Sequence, residues 1–449
     1  MKPMTVTAPA GVLTGLCDEE QTLRVFSIPF AYAEPYQPSV PLRPTADRPR
    51  THDGTSRRMD RYAELVLSVT APMADPDTPK PILLWIHGGR YEIGHPSEPW
   101  CDGGHFARNG VVMVSLGYRK RLAGFWRDTP LDDADTDGEL ATDLSATEPY
   151  RGVGDLVNAL QWVRDNAAAF GGDPSNITIS GQSAGAALAL MVAGDPRTRG
   201  QIQRAIAMSP AFSRSSGSAF RRSLLSTALG RKATSSALAA VGPVQAERAY
   251  RLMAAPAPTD PAVGPRLSEF TPTVPTLVTA TSEEFHATWQ LTAIDRIPGS
   301  EYFARAFSRR IGNRGAFPTD FYKERPFASM VGDSAIRSNA VRVADATANA
   351  GLPTWVGEFR PGNGVGTGPD GKPTTGAPHC IELPRFFGRE AGHPFHDQVV
   401  SFIRTGSPGW ETYDEPARLS HIWSGGGAEC EESSESDPWK AVRELFVKS

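Results

Sequence analysis

Ile177-Thr178-Ile179-Ser180-Gly181-Gln182-Ser183-Ala184-Gly185-Ala186-Ala187-Leu188 runs from a β-branched apolar segment, through a Gly-Gln-Ser-Ala-Gly turn, into a train of small and apolar residues. Ile177–Ile179 reads as a strand, and Ala184 to Ala193 as a helix starting directly after Ser183. A Gly-X-Ser-X-Gly pattern alone is weak. Between a strand and a helix it describes a sharp turn that holds a serine at strained φ/ψ, with glycines on both sides because a bulky neighbour would collide there. The serine then stands at a helix N-terminus, where the Ala184 N–H can face a developing oxyanion.

Short apolar runs bounded by Gly or Pro recur on both sides of this turn: Pro81–Ile86, Val111–Leu116, Ala205–Met208, Thr276–Ala280 and Thr354–Phe359. Continuous runs of this kind suit buried strands of a mostly parallel sheet. From Asp155 to Phe170, apolar residues recur every three or four positions and stop at Gly171-Gly172, which is one helical stripe ended by a breaker. Residues 219–254 read as two or three consecutive helices with no strand. The alternation predicts an α/β fold with a mostly parallel central sheet flanked by helices and carrying helical insertions. Gln37–Arg61, Arg127–Arg151, Arg360–Gly376 and Ala428–Asp437 read as surface loops, none long enough to force a second domain.

Charge and composition exclude several function classes. Forty-six Lys+Arg against 50 Asp+Glu give a net charge of −4, with no long basic run, so no nucleic-acid partner is expected. The N-terminus Met1-Lys2-Pro3-Met4 leads into polar and small residues without an apolar core, so no secretory signal is expected. The uncharged apolar stretch Ile177 to Gly194 is interrupted by Ser180–Ser183 and makes a poor membrane span. Cys17, Cys101, Cys380 and Cys430 form no CxxC pair and no disulfide scaffold. The expectation is a soluble, cytoplasmic monomer or homodimer without membrane contact. His87, His95 and His105 are too widely spaced for a local metal motif, and His393-Pro394-Phe395-His396 lacks a zincin-like acidic pair. No phosphate loop or dinucleotide fingerprint occurs, and no cofactor or metal is expected.

His87-Gly88-Gly89-Arg90 follows the Pro81–Ile86 strand directly. Glycines at that strand end let backbone N–H groups approach a substrate carbonyl from the side opposite Ala184, which supplies the other half of an oxyanion hole.

With these two motifs, and with LWIHGGRYEIG (84–94), ALQWVRDNAAAFGGDPSNITISGQSAG (159–185), AIAMS (205–209), GAPHCIELPRFF (376–387) and VVSFIRTGSP (399–408), the chain resembles the type-B carboxylesterase family within the α/β-hydrolase fold. The resemblance implies Ser183 as nucleophile, His379 as general base and an acid after the Thr276–Ala280 strand. The register favours Glu284, with Glu283 as the off-by-one alternative. It implies an oxyanion hole of Gly89, Arg90 and Ala184, and a supporting role for Ser209. It also implies one α/β-hydrolase domain over residues 1–449, with a helical insertion around 211–270, because the strands supplying one triad belong to one sheet.

Four residues depart from the family pattern. Arg90 replaces a third Gly, and its side chain either points away or reaches toward an anionic substrate group. Gln182 replaces a common Glu, Pro210 follows Ser209 where Gly is usual, and Glu64 takes the place of a disulfide cysteine, in keeping with a reducing compartment. The Arg127–Arg151 loop carries eight acidic residues and is expected at the rim of the active site, where it would favour cationic substrates; a solvated acidic loop is the alternative. The activity implied is hydrolysis of small-molecule carboxylic esters through an acyl-enzyme on Ser183. The alternatives are amide, carbamate or thioester chemistry by the same triad, or a catalytically silent cholinesterase-like binding protein.

Overall fold

Each apolar run picked out above becomes a strand, and none of these strands has an exposed centre. The computed structural model describes every residue except 44–49, 60–63, 75–77, 130–149, 257–258, 312, 314–321, 323–324, 369–370 and 448–449. The chain forms two compact units, Met1–Arg204 with Phe212–Thr271, and Ala205–Ala211 with Pro272–Ser449.

The first unit contains strands β1 (Lys2–Ala8), β2 (Gly11–Cys17), β3 (Thr22–Pro29), β4 (Val66–Pro72), β5 (Lys80–Ile86), β6 (Val112–Leu116) and β7 (Gly172–Gln182). They lie in the order β1-β2-β3-β4-β6-β5-β7. The first four pairings, from β1/β2 to β4/β6, are antiparallel, whereas β6/β5 and β5/β7 are parallel. Ile82 to Ile86 are completely buried, which is why β5 reads as an unbroken apolar run rather than an alternating one. Helix α1 (Arg151–Asn166) buries Leu156, Ala159, Leu160 and Val163, and a short 3-10 turn, Ala167–Phe170, closes it at left-handed Gly171. Helix α2 (Ala184–Gly194) is apolar around nearly its whole circumference and is correspondingly buried.

The insertion contributes α3 (Ala219–Leu229) and α4 (Ser235–Ala254), the latter broken at Gly242-Pro243, where Gly242 leaves helical geometry. That makes three helical pieces and matches the sequence reading. A buried ion pair ties the end of β6 to α1: Arg119 Nε and Nη2 donate to the two Asp155 carboxylate oxygens at 2.8 and 2.7 Å. Removing one partner of such a pair costs about 3–5 kcal/mol. Beside it, Lys120 meets Glu64 at 2.8 Å, so the position that resembles a disulfide cysteine carries an ion pair instead.

The second unit contains β8 (Arg204–Met208), β9 (Thr276–Thr281), β10 (Thr354–Arg360), β11 (Leu419–Ser424) and β12 (Glu431–Ser436) in that spatial order. The first three pairings are parallel and the last is antiparallel. Helices α5 (Ser338–Asn349) and α6 (Phe395–Thr405) each bury one apolar face. Ala428–Asp437, read from sequence as a loop, contains β12, a correction with a clear cause. All six residues of β12 are exposed, so no apolar face betrays the strand. Its carboxylates pair inward instead: Glu435 takes both Arg360 donors at 2.7 and 2.9 Å, and Glu432 meets His421 at 2.8 Å. Charge on an edge strand also discourages pairing with another chain. Of the acidic 127–151 loop, residues 130–149 lie outside the described residues. Its two basic ends are anchors: Arg127 pairs with Glu269, and Arg151 Nε donates to the Ala123 carbonyl at 2.8 Å.

Candidate active site

In the first unit, sterics alone explain the turn around Ser183. Its φ of 57° and ψ of −123° are strained for a residue with a side chain. A Cβ on Gly181 would lie 2.2 Å from the Gly185 carbonyl oxygen, and one on Gly185 would lie 2.1 Å from that of Ile86. Neither position admits any other residue.

The parallel register places Gly181 beside Ile86, so the segment after β5 begins next to the turn. A Cβ on Gly88 would come within 3.3 Å of Ser183 Cβ, so this backbone lies directly against the serine. Arg90 and Tyr91 both have left-handed φ, 60° and 62°. The third glycine of the resembling family suits such geometry without strain, and Arg90 carries that strain here. Among the described residues, no hydrogen bond occupies the N–H of Gly89, Arg90 or Ala184. Unused N–H donors of this kind are able to hold a developing negative charge. The Arg90 guanidinium turns toward Glu92, Nε to Oε1 at 3.9 Å.

Beneath this loop His87 is a structural residue. Burial drives its pKa down to about 3, so its ring stays neutral, stacked on Tyr118 with centroids 4.6 Å apart. Tyr118 Oη donates to the His87 carbonyl at 3.0 Å. Tyr91 is fully buried against Phe125, and Trp289 is exposed, so neither has the half-open placement of a pocket wall.

In the second unit, the choice between Glu283 and Glu284 is a matter of direction. The Glu284 carboxylate is buried, with Oε2 2.5 Å from His379 Nδ1. Its Oε1 accepts from Ser209 Oγ at 2.8 Å and from the Thr281 N–H at 2.9 Å. The His379 N–H donates to the Glu284 carbonyl at 3.0 Å, which locks the two residues together through backbone as well. Glu283 points elsewhere: it accepts from the Ala377 N–H at 2.9 Å and meets His286 at 3.3 Å, holding the loop before His379 in place.

Burial alone would lower the His379 pKa. The Cys380 sulfur and the Glu284 carboxylate outweigh it and hold the imidazole well above the ordinary histidine value. Phe285 packs edge-on against the same ring, with centroids 6.1 Å apart. Sequence reading missed the Thr281 N–H, a backbone donor with no side-chain signature. Ser209→Ala removes one of the donors to a buried carboxylate, a bond worth about 1.5–3 kcal/mol. The expected result is a lower melting temperature together with a kcat drop of roughly tenfold, read by thermal unfolding and steady-state kinetics. Unchanged values for both would show that Ser209 is an ordinary strand-end hydroxyl.

No group of three or more His, Cys, Asp or Glu side chains able to hold a metal ion occurs among the described residues. No helix among them is long and apolar enough to cross a membrane.

Residues 51–275 match the model of the Carboxylesterase family, which is half of the chain. The chain belongs to the carboxylesterase family. Its relatives include the para-nitrobenzyl esterase of Bacillus subtilis (strain 168), 38% identical over 135 residues. That match covers 29% of this chain and spans only 25% of the relative's length. The probable N-octanoylanthranilate hydrolase AqdA2 of Rhodococcus erythropolis is 25% identical, over 93% of this chain and 97% of that protein. Among solved structures, the Geobacillus stearothermophilus carboxylesterase EST55 superposes with a TM-score of 0.75 at 25% identity, covering 98% of this chain and 99% of that one. The α/β-hydrolase fold expected from the sequence is therefore the fold of this carboxylesterase-family chain, with parallel strands carrying both groups of candidate residues.

Proposed function

We propose that the protein is a serine hydrolase of small-molecule carboxylic esters. Ser183 attacks the ester carbonyl and His379 accepts the Ser183 proton. Glu284 fixes the imidazole tautomer and stabilises the imidazolium that forms. The N–H groups of Gly89, Arg90 and Ala184 hold the tetrahedral oxyanion. His379 then protonates the departing alcohol, and water attacks the acyl-enzyme with His379 as base. The observation that carries this reading is the paired set of free donors and strained serine in one unit and the buried Glu284–His379–Ser209 chain in the other. The whole chain acts as one catalytic domain, with residues around 211–270 as its helical insertion.

No cofactor enters this chemistry. A reducing, cytoplasmic setting belongs to the same reading, supported by the Glu64–Lys120 ion pair at the position resembling a disulfide cysteine. The test is a p-nitrophenyl ester chain-length series followed by stopped flow. A burst of p-nitrophenol equal to one per active chain, then slower turnover, is expected from acyl-enzyme accumulation. Absence of hydrolysis across the series, with the protein folded, would favour the silent binding protein. Turnover of anilides or thioesters in preference to esters would move the substrate class.

A further inference from the structure

Away from the catalytic residues, the insertion buries a cation that no carboxylate among the described residues touches. Arg221, on α3, is 1% exposed. Its Nε donates to Ser215 Oγ at 3.1 Å and its Nη1 to the Met253 carbonyl, both neutral acceptors, while Nη2 has no partner among the described residues. Asp260 is near enough to feel, but its oxygens are taken by the N–H groups of Arg214 and Ser215, at 2.9 and 3.0 Å, and by the Ser215 hydroxyl. Arg127, also buried, pairs through Nη1 with Glu269 and leaves its Nε without a partner. Glu269 is itself committed, accepting from Tyr150 Oη at 2.8 Å and from the Arg266 N–H at 2.9 Å.

Both guanidinium-bearing residues line one small void of about 10 Å³, with Phe125, Tyr150, Ser216 and Val263 among its walls. A guanidinium stays charged inside a protein, and a buried charge without a counter-charge is strongly disfavoured. The void has room for one particle of about water size. That excludes acetate, phosphate and any larger oxyanion. A water would fill the space but leave the charge uncompensated, whereas a monatomic anion answers both needs.

We propose that a single halide ion, chloride under physiological conditions, occupies the void between Arg127 and Arg221. The ion bridges α3 to the base of the 127–151 segment. It also sits near the oxyanion loop: Phe125, a wall of the void, packs against Tyr91 with centroids 5.0 Å apart, and the Arg221 charge repels that of Arg90. A bound anion offsets this repulsion. The site is independent of the hydrolytic reading and stands or falls without it.

Crystals of the full chain grown in sodium bromide test the site directly, with melting curves in sodium chloride and sodium gluconate at equal ionic strength as a second readout. One bromide anomalous peak inside the void is expected, with a melting temperature higher in chloride by about 2 °C, as for a ligand present at some tenfold its Kd. Arg221→Met should erase that difference. A water or protein atoms in the void, or surface bromides only, would overturn the proposal. So would a peak without any difference in melting, which is binding at crystal concentration only. If Arg221→Met does not fold, the two wild-type measurements decide.

Discussion

Ser183→Ala is expected to lower kcat on p-nitrophenyl butyrate by roughly 10⁴- to 10⁶-fold, with KM changing little. The hydroxyl supplies the bond-forming oxygen, and the oxyanion donors around it act only on the tetrahedral species that follows. The residual rate comes from those donors and from binding. The substitution should leave folding intact, because alanine keeps the Cβ that sits at φ 57° and ψ −123° and so keeps the same backbone strain. Ser183→Gly, by contrast, releases that strain and should raise the melting temperature while being equally inactive. A Ser183→Ala protein with the wild-type rate would discard both the nucleophile and the acyl-enzyme mechanism.

Glu284→Gln should cost roughly 10³- to 10⁴-fold in kcat, against a few-fold for Glu283→Gln. The amide is nearly isosteric, but its NH₂ group or its neutral oxygen no longer selects the His379 tautomer that accepts the Ser183 proton. The pH profile separates this from simple damage. His379 must be neutral to act as a base, and its pKa is held well above the ordinary value by Cys380 and Glu284 against the opposing effect of burial. The rising limb of kcat/KM with pH therefore lies on the alkaline side of an ordinary histidine's. Removing the Glu284 charge lowers the imidazolium pKa, so the limb should move to lower pH even as the maximum falls. A limb that stays put, or a larger kcat loss in Glu283→Gln, would assign the acid differently. The Glu283 substitution is expected to act mainly on stability, because that carboxylate holds the Ala377 N–H at 2.9 Å and not the imidazole.

Much of this was legible in the chain because the relevant forces are local. The six apolar runs became strands since burial on both faces leaves continuous hydrophobicity as the signature. The helical insertion was legible as consecutive helices without a strand, and the structure places its break at Gly242-Pro243. The exposed strand Glu431–Ser436 was not, since its stability comes from ladder bonds to β11 and from ion pairs with Arg360 and His421, distant in sequence. Adjacent carboxylates such as Glu283 and Glu284 are chemically alike. Only the turn after β9 sends one to the histidine and the other to a backbone N–H.

By itself, then, the sequence determined the Gly-Gln-Ser-Ala-Gly turn, because a Cβ at Gly181 meets the Gly185 carbonyl oxygen within the turn itself, and it determined which runs must be strands. Tertiary structure decided the direction of each charged side chain: Glu284 toward His379, Arg90 toward Glu92, Arg221 toward a small void where no carboxylate among the described residues meets it. The physical reason is range. Steric exclusion and hydrophobic periodicity act between neighbours along the chain. The partner of a charge is set by which groups folding brings within about 4 Å, and no local pattern encodes that.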